Sequence, residues 1–179
     1  MKTITLDLLH QAFRRLGELA EAEGITLELC IYGGSAMMLV YNTRQATKDV
    51  DAVMHPKAVA ERLAAKVADE FSFSTNWLND DVKLYLAPSG QTRNLPQQFK
   101  GLHLTAPTAG YLLAMKAMAA RPRLPGYEGD IDDLRFLLRK LEIRSVDQIG
   151  GLIDKYYPDD VLPPEKRVLI EELIREVWE

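Results

Sequence analysis

Apolar residues recur along the chain in two rhythms, and the rhythm changes once. Over residues 5–23, Leu6, Leu9, Phe13, Leu16 and Ala20 follow three- and four-residue steps, which predicts a helix with one apolar stripe. Thr5 suits its cap and Gly24 its stop. Leu27, Leu29 and Ile31 then alternate, so Leu27 to Tyr32 reads as a strand, broken by Gly33-Gly34. Ser35 to Tyr41 predicts a short apolar helix, and Asn42 to Lys48 a polar connection. Asp49 to Met54 is a second strand, ended by His55-Pro56, and Pro56 suits the first turn of a helix over 57–71. Val59, Leu63, Val67 and Phe71 form that helix's buried side. Val82 to Leu86 alternates like a strand, Asn76 to Asp81 reads as a turn, Ser89 to Gln98 as a loop, and Leu102 to Leu104 as a short last strand.

From Pro107 onward the rhythm is helical. Thr108 to Ala120 is nearly all apolar, and Asp130 to Leu141 repeats apolar residues at helical spacing. Ser145 with Gln148 makes a capping box for a helix reaching about Tyr157, and Glu165 to Trp178 is amphipathic. Arg121 to Gly129 is an irregular link. The pattern predicts an α+β fold: a small mixed β-sheet flanked by helices over residues 1–105, and a helical C-terminal half, 106–179, packed on it as one compact unit.

Composition narrows the field rather than choosing within it. The chain is 47% hydrophobic and 27% charged, as in ordinary globular domains. Its net charge of −4 gives no long-range field for nucleic acid, and the acidic excess is spread over both halves. Cys30 is the single cysteine, so an internal disulfide and a thiolate zinc cluster are excluded, and its apolar setting predicts an inert thiol. No stretch approaches the ~20 apolar residues of a membrane span, and no basic start precedes a long apolar run, so the expectation is a cytoplasmic protein without a membrane partner.

Candidate chemistry concentrates in two neighbouring segments. In Gly33-Gly34-Ser35, glycine lets the main chain approach an anion, and the following helix offers free N–H groups. By itself this also fits a plain strand-to-helix turn. Asp49 and Asp51 are two apart on a strand, which sends both side chains from one face. Hard carboxylate oxygens beside a phosphate cradle suit Mg²⁺ and a nucleoside triphosphate. An isolated Asp-x-Asp fits a solvated strand face equally well. Thirteen residues separate Ser35 from Asp49, enough for one short helix and a return strand, so the two weak signals are brought to the same sheet edge.

With those residues in view, the chain resembles the DNA polymerase β-like nucleotidyltransferase superfamily: Gly33-Gly34-Ser35, thirteen residues, then Asp49-x-Asp51, with Thr47 matching a Ser/Thr of bacterial members. Tyr111-Leu-Leu-Ala-Met-Lys116, a basic loop, and Asp130-x-x-Asp133-Leu134 are similar to the second half of the abortive-infection (type IV toxin–antitoxin) nucleotidyltransferase toxins and their small relatives. Trp77 to Asp80 with Val82-Lys83 looks like the middle of those relatives. The resemblance implies transfer of a nucleoside monophosphate from a triphosphate to a hydroxyl, with Mg²⁺ (or Mn²⁺) on Asp49 and Asp51. It implies nucleotide contacts from Gly33, Gly34, Ser35, Thr47 and Lys116, and a catalytic wall holding Lys116 and Asp130. Arg121 and Arg123 would touch phosphates or brace their loop. A cognate antitoxin is an implied partner, and the acceptor is a tRNA, a protein or a small molecule.

Lys116 also has a case of its own, as the lone charge in an apolar helix that must snorkel or meet an anion. Asp130 and Asp133 equally suit a helix start. One departure stands out. The superfamily usually supplies a third carboxylate from a later strand, whereas Leu102-His-Leu104 offers His103 and no acid, leaving Asp80 or Asp81 as substitutes. The alternative expectation is therefore a catalytically weak or inactive nucleotide- or partner-binding module of the same fold.

Overall fold

The computed structural model describes residues 3–121 and 129–179. They form two compact units, Met1–Leu84 with Thr92–Ala106, and Tyr85–Gln91 with Pro107–Glu179. The first unit runs β1 (Ile4–Thr5), α1 (Leu6–Ala22), β2 (Leu27–Ile31), α2 (Gly33–Tyr41), β3 (Ala46–Thr47), β4 (Val50–His55), α3 (Lys57–Phe71), β5 (Leu78–Asn79), a 3-10 helix (Asp81–Tyr85), β6 (Thr92–Asn94) and β7 (Leu102–Pro107), the 3-10 helix and β7 each ending on the first residue of a second-unit segment. The second holds α4 (Ala109–Ala119), α5 (Gly129–Lys140), α6 (Val146–Tyr156) and α7 (Pro164–Trp178). This is the expected α+β class.

The main sheet has the order β5-β4-β2-β7-β6 and is mixed: β2 is antiparallel to β4 and parallel to β7, and β4 is parallel to β5. Register sorts the side chains by face. Leu27, Leu29, Ile31, Val50, Ala52, Met54, Leu78, Leu102 and Leu104 share one face and are all buried. Glu28, Cys30, Asp51, Val53, His55, His103 and Thr105 share the other, and each is exposed or half-buried.

Helices α1 and α3 pack together beside the apolar face. The approach of α1 is so close that a Cβ on Gly17 would run into the Lys100 carbonyl and stand 3.2 Å from Leu102. Trp77, fully buried, donates its indole N–H to the Ala64 carbonyl of α3 and stacks near Phe13 and Phe73. That single residue ties β5 to both helices. In the second unit, the Ser145–Gln148 capping box starts α6 as expected, and α4 packs on α5, α6 and α7.

Three stretches differ from the sequence reading. Val82 to Leu86 is not a strand. The Asn79 side chain accepts the Asp81 N–H, and the Lys83 N–H closes on the Asp80 carbonyl, so the local side-chain turn winds the chain into the 3-10 helix. Its alternating apolar residues find no face to bury, and Leu84 is 87% exposed. The turn over 76–81 contains β5, and the loop over 89–98 contains β6. A separate two-stranded ribbon, β1 with β3, joins the start of the chain to Ala46–Thr47. Among the described residues no helix is long and apolar enough to cross a membrane.

Candidate functional site

The site is built where β2 ends. Tyr32 is extended, its N–H donates to the Asp51 carbonyl at 2.8 Å, and Gly33 then takes φ +61° to turn the chain into α2. That backbone conformation favours glycine. Space demands it too: a Cβ on Gly33 would lie 2.8 Å from the Asp51 carboxylate. The glycine turn and the second acid are therefore adjacent, which is what the thirteen-residue spacing predicts. Tyr32, the N-cap of α2, provides no side-chain cap, and the first turn holds no acid. Its early N–H groups are of the kind that attract an anion.

Asp49 lies one residue ahead of β4 and is exposed, whereas Asp51 is half-buried on the strand. Two hydroxyls fix Asp49. Ser35, only 2% exposed, and Thr47 each donate to the Asp49 carbonyl at 2.8 Å. A hydroxyl has one proton, so in this structure these two are spent on main chain rather than on a phosphate. They act as positioning groups for Asp49, joining the start of α2 and the β1–β3 ribbon to the acid-bearing segment.

Two residues beside the glycine turn and the acids escaped the sequence reading. The guanidinium of Arg44 stands against Gly34, where a Cβ would come within 2.8 Å of Nη1. Asn79 is the Cα partner of Asp51 across the parallel β4–β5 pair and is 6% exposed. Arg44 sits in a featureless polar connection, and Asn79 in an edge strand of two residues, so neither had a periodic signal.

The acids nominated as substitutes for a third carboxylate are placed otherwise. Asp80 is held by Lys57 at 2.7 Å and Lys83 at 2.5 Å. Hydrogen bonding to Lys57, then to Lys83, pulls its pKa down to about 2. Asp81 is exposed and starts the 3-10 helix. His103 Nε2 meets Asn94 Oδ1 at 3.1 Å. Among the described residues no three His, Cys, Asp or Glu side chains are grouped to hold a metal ion. Burial pushes the Cys30 thiol above its ordinary pKa, which suits an inert thiol.

In the second unit, Lys116 is 8% exposed on α4 and does not snorkel. Its ammonium lies 2.7 Å from Asp133 Oδ2 and 3.6 Å from Asp130 Oδ1. Asp133, 2% exposed, is thus the closer and more deeply buried partner, and Asp130 the outer one. Arg121 is exposed, and Arg123 lies outside the described residues.

Residues 8–123 match the family "Nucleotidyltransferase of unknown function (DUF6036)", well over half of the 179 residues. The chain belongs to this family. The matched segment of this nucleotidyltransferase-family chain contains Gly33, Gly34, Ser35, Arg44, Thr47, Asp49, Asp51, Asn79 and Lys116, and ends before Asp130 and Asp133. No curated protein matches significantly. Among solved structures, the chain is similar to an antigenic nucleotidyltransferase-like protein from Paracoccidioides brasiliensis, at 15% identity and a TM-score of 0.47, over 97% of this chain and 95% of that one.

Proposed function

We propose that this member of the nucleotidyltransferase family moves a nucleoside monophosphate from a nucleoside triphosphate to a hydroxyl acceptor, with Asp49 and Asp51 as ligands of Mg²⁺ or Mn²⁺. The observation that carries the reading is the Gly33–Asp51 contact: bare main chain and a carboxylate share one point, and a methyl group there would close it. The donor set fits the ion, because Mg²⁺ takes one or two carboxylates and completes its shell with water and substrate phosphates. When bound, the ion would offset charge on the phosphates and the leaving pyrophosphate.

The chain's own residues divide the remaining work. The early N–H groups of α2, at Gly33, Gly34 and Ser35, face the phosphates, and Arg44 adds positive charge beside them. Ser35 and Thr47 hold the Asp49 main chain in place. The acceptor oxygen attacks the α-phosphorus, the α–β bridging bond breaks, and pyrophosphate leaves; the acceptor proton passes to solvent. Lys116 and Asp130 enter this reading through the resemblance alone, and Lys116 would have to leave Asp133 to reach an anion.

Incubation with each labelled triphosphate, Mg²⁺ or Mn²⁺, and bulk tRNA, cell protein or small hydroxyl compounds tests the reading. Wild type should label one acceptor class, and Asp49→Asn/Asp51→Asn should not. Equal labelling by both would overturn it. A second reading, nucleotide binding without transfer, is favoured by the absence of a third acid among the described residues. Calorimetry showing metal-dependent triphosphate binding with no product would select it. A toxin–antitoxin role rests on the resemblance of the rear segment. It predicts growth arrest on expression, relieved by the neighbouring gene's product.

A further inference from the structure

Packing is incomplete on the helix-covered side of the first unit's sheet. Where α1, α2 and the segment between β6 and β7 meet, a cavity of about 260 Å³ remains. Leu95 and Leu104, both buried, line its inner end, with His10 of α1, Leu39 of α2 and Phe99 around them. Pro96 and Gln97, both exposed, stand at its mouth. Leu104 belongs to the apolar face of the sheet and Asp51 to the other, so this is a different place from the carboxylate side. The hollow is held open by one amide. Gln98 Nε2 donates to the Leu95 and Leu104 carbonyls at 2.7 and 2.8 Å, and Gln98 Oε1 accepts the Leu104 N–H at 2.7 Å. The main chain of both buried lining residues is thus fixed, which keeps them from closing over the space.

The lining states what would fit. It is aliphatic and aromatic apart from the His10 imidazole and the Gln97 amide, and neither of these hydrogen-bonds another described residue. The His10 and Phe99 rings lie 6.2 Å apart at 52°, and Phe99 lies 6.3 Å from Phe13, a tilted cluster that a further ring can join edge to face. Volume sets the size. A cavity of about 150 Å³ holds benzene, so this one has room for two fused rings and falls short of a whole nucleotide. We propose that the cavity binds a flat, weakly polar nitrogen heterocycle of two fused rings, packed against Leu39, Phe99 and Leu104 with its ring nitrogens turned to His10 and Gln97. The site stands apart from the nucleotidyl-transfer reading, and either can fail alone.

The probe is benzimidazole, titrated into the full chain and followed by methyl NMR, with indene as its hydrocarbon counterpart. Benzimidazole should shift the methyl signals of Leu39, Leu95 and Leu104 saturably, with a Kd of about 1 mM or tighter. It should bind about fivefold tighter than indene, the worth of one hydrogen bond. His10→Phe keeps a ring without nitrogens and should narrow that preference. Leu39→Trp fills the cavity from a half-buried position and should weaken both probes at least about tenfold. Mg-ATP in excess should leave benzimidazole in place. The proposal is overturned if wild type shows no saturable shift at those leucines, if it binds the two probes equally, or if Mg-ATP displaces benzimidazole. These three wild-type results decide even where a variant does not fold. Unchanged binding by a folded Leu39→Trp would overturn it as well.

Discussion

Both units carry carboxylates at the start of an element or just ahead of it, yet they bury them to different depths. In the second unit, Lys116 and Asp133 face each other at 2.7 Å, both nearly inaccessible, with Asp130 at the rim. Charge there is matched within the protein. In the first unit, Asp49 is exposed and Asp51 is half-buried, with its carboxylate against the bare backbone of Gly33. An internally matched pair holds helices together. The acids of the first unit stand nearer solvent beside a glycine turn, and the proposed function uses them toward a ligand from outside. Burial and spacing, more than residue type, separate the two.

The sharpest way to break this comparison is to remove one half of the buried pair. Asp133→Ala takes the nearer carboxylate from the buried Lys116 ammonium and leaves Asp130 at 3.6 Å, and urea unfolding should show a loss of about 2–4 kcal/mol. A Lys116→Met/Asp133→Leu double variant should recover most of it, since well-packed apolar replacements of buried pairs are commonly tolerated. If the single variant unfolds like wild type, the pair is not structural. Asp49→Asn should do the reverse. Unfolding should shift by less than about 0.5 kcal/mol, as for other exposed positions, while transfer should fall by about a hundredfold or more in initial-rate assays. Gly33→Ala is intermediate. Forcing a side chain to φ +61° should cost about 1–2 kcal/mol in the same unfolding assay, with nucleotide binding lost through the displaced Asp51.

The smallest effect concerns Asp80. Its folded pKa of about 2 lies below the ordinary 3.8. Its contribution to stability is therefore complete above that ordinary value and is lost as pH falls toward about 2. Asp80→Asn should be slightly less stable than wild type at pH 6, and the two should converge near pH 2. NMR titration of the side chain should give the low midpoint directly.

The sequence made most of the first unit's frame legible because long elements leave long signatures. The stripe of Leu9, Phe13 and Leu16 and the alternation of Leu27, Leu29 and Ile31 both report a buried face. The Gly33–Asp51 proximity was legible for a different reason: thirteen residues admit little besides a short helix and a return strand. What stayed hidden depends on very short elements. β1, β3 and β5 have two residues each, too few to show a period. The partner of Asp51 on β5 thus emerged only from register. The misreading of Val82 to Leu86 shows alternation losing to a single hydrogen bond that the Asn79 side chain accepts from the Asp81 N–H. The lone charge of Lys116 was visible in sequence, but its choice of Asp133 over Asp130 came from helix packing.

A sheet walled by helices on one side and carrying polar groups on the other answers substitution in two ways. On the walled side every change of volume must be answered by a neighbour, because interiors are packed as densely as crystals. On the polar side exposed positions such as Glu28 and His55 touch fewer neighbours, so a change there calls for little repacking.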